Sequence, residues 1–178
     1  VTVSENAKKR LKNPKEHQLY FGRMILMVCL GILQSALICL GDLYFLGIQC
    51  EHPLMFIITG CFSSLIYVNI IYALTVSFGD IGKAVAVVLM VMQVAGSGGT
   101  FPIECAPKFF QVVYPLLPFV HSMNARRECI AGFYGNYYMV EMAKMALYLI
   151  PSLLLGLLLR KPIVRINEAF IEQLESTK

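Results

Sequence analysis

The sequence predicts an all-α membrane protein: four transmembrane helices, with a re-entrant pair of short outer helices before the last span. Three observations carry this expectation. Hydrophobic residues fill 57% of the 178 positions and charged residues only 15%, against about 25% charged in an average soluble domain. The apolar residues are gathered into runs long enough to cross a bilayer. The basic residues cluster at the ends of those runs. With a mean hydropathy of +0.66, a soluble domain of this size could not cover its apolar surface. An ordinary soluble enzyme and a disordered chain are thereby excluded.

Residues 1–22 are polar and basic. Glu5 to Leu11 is expected to form a short helix capped by Ser4, and Pro14 to break any continuous helix into the membrane. The first span is expected from about Met24 to Ile48, with Asp42 in its outer third. The polar turn Gln49-Cys50-Glu51-His52-Pro53 leads to a second span, Leu54 to Phe78, which carries no charge. A short polar group, 78–83, precedes a third span from Ala84 to about Thr100. The last span runs from about Met139 to Leu159 and ends at Arg160-Lys161-Pro162. The tail from Ile163 is amphipathic, with Ile163, Ile166, Phe170 and Leu174 at helical spacing.

The stretch between the third and last spans differs. Glycines at 96 and 98–99 let the backbone leave the helix, and Pro102 prevents its resumption. Phe109 to Val120 is apolar but broken by Pro115 and Pro118, and too short to cross roughly 30 Å of hydrocarbon at about 1.5 Å per residue. Irregular backbone at membrane depth must be buried in protein or line a cavity. Residues 101–138 are therefore expected to form a re-entrant outer element, either a structural cap or part of a gate.

Eleven basic residues fall on the side of the two termini and three (Lys108, Arg126 and Arg127) on the other. The positive-inside rule then puts both termini in the cytoplasm. The same distribution argues against nucleic acid as a partner. A carboxylate such as Asp42 inside a span either makes a polar contact with protein or water or already lies at headgroup level. Glu141 and Lys144, three residues apart, are placed to pair, with Lys144 snorkelling outward. His17, His52 and His121 lie in separate segments and are expected as interfacial loop histidines. Cys29, Cys39 and Cys61 are expected as small buried hydrophobes. Cys50, Cys105 and Cys129 fall near span ends, where a Cys50–Cys105 bridge is conceivable. No CxxC, GxxxxGK[ST], HExxH or GxSxG pattern occurs. The chain is expected to have no enzymatic activity, cofactor or metal of its own. It begins at Val1 without a signal-peptide pattern and is expected to be the C-terminal piece of a longer protein.

The series Gly98-Gly99-Thr100-Phe101-Pro102-Ile103-Glu104, Pro107-x-Phe109-Phe110, Pro115-x-x-Pro118 and Asn124-Ala125-x-Arg127-Glu128, closed by Gly132, resembles the C-terminal membrane region of the YhgE/Pip (phage infection protein) family. That family is related to the type-2 permeases of ATP-binding-cassette (ABC) transporters. The resemblance covers roughly residues 20–160. It implies a permease domain at 23–160 in a bacterial cell membrane, preceded by a cytoplasmic segment, 1–22, and followed by a cytoplasmic tail, 161–178. It further implies that the four spans are the last four of six.

The resemblance also implies that a separate ATPase would dock on residues 1–22, with the domain pairing with a second copy or a second permease half. Lys8, Lys9, Arg10 and Lys12 would touch that ATPase or anionic lipid. As motif residues, Arg127 and Glu128 are expected in packed, paired roles. The alternative function is a non-transporting membrane anchor or receptor, linked to secretion or phage recognition.

Overall fold

Lipid offers no hydrogen-bond partners, so a chain that crosses it must satisfy its backbone internally. The computed structural model of the protein describes residues 16–99 and 102–157, and every regular element among them is helical. The expected helix at 5–11 with its Ser4 cap, Pro14, Lys8, Lys9, Arg10, Lys12, Thr100, Phe101 and the tail from 161 lie outside the described residues.

The helix α1, Glu16–Tyr44, packs against α2, Pro53–Gly96. Small residues let the two backbones approach. Gly31 of α1 lies against Val68 and Ser64, so a Cβ there would stand 2.7 Å and 2.9 Å from their side chains. One turn further along each helix, Ser35 and Cys39 of α1 close on Gly60 of α2. Pro53 starts α2 at a position where a missing N–H costs nothing.

The stretch α2 is two helices joined at Gly79, where the backbone leaves helical geometry (φ 59°, ψ −126°) and the chain doubles back. A Cβ on Gly82 would strike the carbonyl of Leu74, a residue that in a straight helix would be about 12 Å away. Likewise Gly60 lies against Arg126 and Gly98 against Arg127, although a straight helix would hold the two glycines about 57 Å apart. So α2 is a hairpin of two limbs, Pro53–Gly79 and Ile81–Gly96. The positive φ at its bend is a conformation that glycine adopts without steric cost.

Beyond a 3-10 turn at Ile103–Cys105 come the short α3, Lys108–Val113, a second 3-10 turn at Tyr114–Leu116, and α4, Pro118–Ala131. Two short helices of unequal length therefore precede the last span. α4 extends well past the apolar stretch, and it buries Pro118, Val120, His121, Ser122, Ala125 and Cys129. It ends on Gly132 (φ 97°). Its last carbonyls, orphaned by the helix end, accept from the α1–α2 loop: His52 N–H bonds to Cys129 at 3.0 Å and Glu51 N–H to Ile130 at 3.3 Å.

The final span is two helices, α5 (Tyr137–Leu147) and α6 (Leu149–Leu157). Pro151 has no N–H for the carbonyl of Leu147. The ladder tightens at the junction, where Tyr148 N–H bonds to Met145 at 3.1 Å.

Among the described residues three stretches are long and apolar enough to cross a membrane: Phe21–Tyr44, Pro53–Gly79 and Tyr137–Gly156. The expectation of four is met in part. The other limb, Ile81–Gly96, is apolar but shorter. It reaches about 24 Å at about 1.5 Å per residue, because the glycine-rich turn after it stops the helix early.

Replacing Gly82 by Ala should destabilise the detergent-purified protein by about 1–3 kcal/mol, the usual cost of overpacking. Gly22, with open space around it, should accept Ala neutrally or gain up to about 1 kcal/mol. Equal shifts in the two unfolding midpoints would show that the hairpin needs no glycine at 82.

Candidate functional site

The first limb of α2 presents a polar stripe to the rest of the molecule. Thr59, Ser63, Asn69 and Ser77 are all buried. Each meets a different neighbour. The Thr59 hydroxyl lies 3.0 Å from the hydroxyl of Tyr138 on α5. Ser63 and Ser122 of α4 share a hydrogen bond of 2.8 Å. Asn69 donates its amide to Ser152 Oγ on α6 at 2.8 Å, and Ser77 donates to the carbonyl of Leu155 at 3.2 Å. Thr59 and Ser63 also donate back to the carbonyls of Met55 and Thr59 at 2.8 Å and 2.7 Å. Four polar contacts thus hold α4, α5 and α6 to one limb, each worth about 0.6 kcal/mol on average in a membrane interior.

Between α4 and α5 lies a buried charge. The carboxylate of Glu141 is 1% exposed and His121 is 6% exposed. His121 Nδ1 stands 2.6 Å from Glu141 Oε2, and Lys144 Nζ donates to Oε1 at 2.8 Å. Both carboxylate oxygens therefore have partners. Glu141 sits one turn, about 6 Å, into the last span. Lys144 keeps 49% of its side chain exposed. It follows the snorkelling pattern, its ammonium at the rim and its stem along the helix. The His121 ring lies 6.1 Å from that of Tyr148, whose hydroxyl donates to the carbonyl of Leu116 at 2.9 Å. An ionisable group at this depth is retained for charge or proton handling far more often than for stability alone.

The glycine motif at 96–99 forms a second feature. Gly98 turns the chain at φ 65°, and its carbonyl accepts from Arg127 Nη2 at 2.9 Å. Gly99 N–H donates to Ser97 Oγ at 3.3 Å. A Cβ on Gly96 would lie 3.0 Å from both Leu117 and Phe110, so the glycine lets the short outer helices close on the end of α2. Pro102 precedes the first 3-10 turn, Pro115 lies in the second, and Pro118 opens α4. Asn124 Oδ1 accepts from Arg127 Nη1 at 3.4 Å. Glu128 accepts from the backbone N–H of Tyr134 at 2.8 Å. Gly98, Gly99, Pro102, Glu104, Tyr114 and Arg127 line an open cleft of about 390 Å³.

Several expectations are reversed. Arg127 is exposed, whereas Arg126 turns inward over the ring of Phe56, 5.5 Å from its centroid. Adjacent helix positions differ by about 100° in direction, and Ala125 and Cys129 define the buried side. His121 is a buried helix residue and not an interfacial loop histidine, because α4 begins at Pro118 and carries it against α5. Cys29 faces outward, and all six cysteines are free. Cys50 does not meet Cys105; its thiol donates to the carbonyl of Cys129 at 3.0 Å. Burial pushes the Cys129 thiol up from its ordinary range. Asp42 is half-buried near the end of α1 and forms no ion pair among the described residues. Glu141 and Lys144 pair as their spacing predicts.

The described residues thus form a helical membrane domain with a polar interior, a buried carboxylate and a glycine-rich turn. The ABC-2 family transporter proteins match residues 6–159, and the chain belongs to this family. It is 35% identical over 125 residues to the uncharacterized protein YhgE of Bacillus subtilis (strain 168). The alignment covers 70% of this chain but 16% of that relative's length. No solved structure matches the chain.

Replacing Glu141 by Ala leaves the buried His121 Nδ1 without its partner and should lower stability by about 1–3 kcal/mol. Replacing Lys144 by Met should cost about 1 kcal/mol or less, because an exposed ammonium is well screened. Equal losses in thermal unfolding would show that Lys144, and not His121, holds the carboxylate.

Proposed function

We propose that this chain is the membrane-spanning part of a type-2 ABC-transporter-like protein, moving a substrate across the bacterial cell membrane with energy from a separate ATPase. Membership of the ABC-2 transporter family across residues 6–159 carries this reading. The hairpin of α2 supports it, since a chain that doubles back at Gly79 returns Gly98 to the level of Gly60 and Arg126. Four passes then leave residues 1–22 and 161–178 on one side, the basic one, and 101–138 on the other. Ile81–Gly96 is the shortest pass and ends in the cleft of the glycine motif, so the outer element would cap the pathway there. Two such domains would enclose the pathway between them.

The basic segment supplies the contact with the ATPase. Replacing Lys8, Lys9, Arg10 and Lys12 together by Glu in the full-length protein should abolish co-purification with that ATPase while membrane insertion is retained. Undiminished recovery would leave attraction to anionic lipid as the role of these residues and would favour the anchor or receptor reading.

The orientation is open to direct measurement. Cys105 is exposed and belongs to the outer element. A membrane-impermeant maleimide should label it in intact cells, whereas cysteines introduced at 8–15 or 163–178 should react only after permeabilisation. Labelling of the termini from outside would invert the topology.

A further inference from the structure

The guanidinium of Arg126 is inserted where α1, α2 and α4 meet, and it has no counter-ion among the described residues. Its Nη2 reaches the notch left by Gly60, where a Cβ would stand 3.4 Å from it and 3.2 Å from Ser35 Oγ. Phe56 lies beneath the group. Its Nε is sealed from solvent without an acceptor, and so is the hydroxyl of Tyr67, which lies within electrostatic reach of Arg126. Arg126 Nε is thus one of three unpartnered buried side-chain polar atoms among the described residues.

Among the described residues the ion pairs involve Glu141 alone, and none of their carboxylates lies within 4.0 Å of Arg126. A charge cannot be shed here, since arginine does not deprotonate in proteins. A sealed guanidinium edge without an acceptor calls for an unseen partner. The guanidinium fork matches two oxygens of a carboxylate or a phosphate. The depth selects between them. Gly60 is about 10 Å into its span at about 1.5 Å per residue, just below the headgroup layer, where lipid phosphates are the concentrated anions. The residue itself is half-buried, so the site keeps an opening to the surface.

We propose that Arg126, seated on Phe56 beside the notch of Gly60, is a binding site for a phosphate group, supplied by an anionic lipid headgroup reaching between α1 and α4. The site is independent of transport and of the ATPase, so it stands or falls apart from the permease reading.

The full-length protein in phosphate-free maltoside micelles provides the test, with thermal unfolding followed during titration of phosphatidylglycerol and, separately, of inorganic phosphate. Phosphatidylglycerol should raise the midpoint saturably. Arg126→Gln should raise the half-saturating concentration about tenfold or more, the loss of one charge-assisted hydrogen bond. Arg127→Gln, on the exposed face, should leave the titration unchanged, and Arg126→Lys should weaken it by an intermediate factor. A response to inorganic phosphate alone would keep the phosphate site but assign it to a soluble ligand. Two results would overturn the proposal: identical titrations for the parent and Arg126→Gln, or no response to either probe with Asp42→Asn destabilising as much as Arg126→Gln. The second would mean that Asp42 closes on Arg126 as an internal counter-ion.

Discussion

The described helices are held together by the first limb of α2. Apolar side chains gain nothing by choosing a protein neighbour over lipid, so helices in a bilayer need another reason to stay together. Here that reason is close packing on one side and hydrogen bonds on the other. Toward α1 the limb offers Gly60 and Ser64 to Gly31, Ser35 and Cys39. Toward α4, α5 and α6 it offers Thr59, Ser63, Asn69 and Ser77. The outward faces of α1 and of Ile81–Gly96 stay apolar, with Leu30, Leu33, Leu37, Val87, Val88 and Val91 all exposed. The inside of this fold is more polar than its outside, the reverse of a soluble domain.

Once α4 is tied to α2, the outer element acquires its shape. Pro118 starts the helix, Gly132 ends it, and the loop before α2 covers its last carbonyls. That placement brings His121 against Glu141, turns Arg126 toward Phe56, and aims Arg127 at the carbonyl of Gly98. The glycine motif and the buried carboxylate are thus two ends of one short helix.

Much of this was legible in the chain. The spans and the turn at 79–83 follow from hydropathy and from the glycine–aspartate break, and the family resemblance from the residues at 98–132. Side-chain direction was harder. Whether Arg126 or Arg127 faces inward is set by the helical phase of α4, and the sequence reading set no helix bounds over 118–131, so Arg127 was expected inside on the motif alone. Once Pro118 is placed at the first position, Ala125 and Cys129 mark the buried side and Arg126 flanks it. His121 was misassigned for the same reason. The stripe of Thr59, Ser63, Asn69 and Ser77 had a signal, polar residues recurring on one helix face inside an uncharged run. Reading hydropathy as an average hides it.

The polar stripe also bears on how the protein is made. Asn69 waits for Ser152, which lies 83 residues later in the chain. At about 5–20 residues per second of synthesis, the wait lasts several seconds. Thr59 and Ser63 can spend that interval bonded to carbonyls of their own helix. Asn69 has no such refuge within its turn; its Oδ1 lacks a partner even in the finished fold. The newborn α1–α2 pair therefore exposes one amide to lipid or to the insertion machinery until the last helix arrives. That makes Asn69 the residue at which biogenesis, rather than the finished fold, meets its strictest demand.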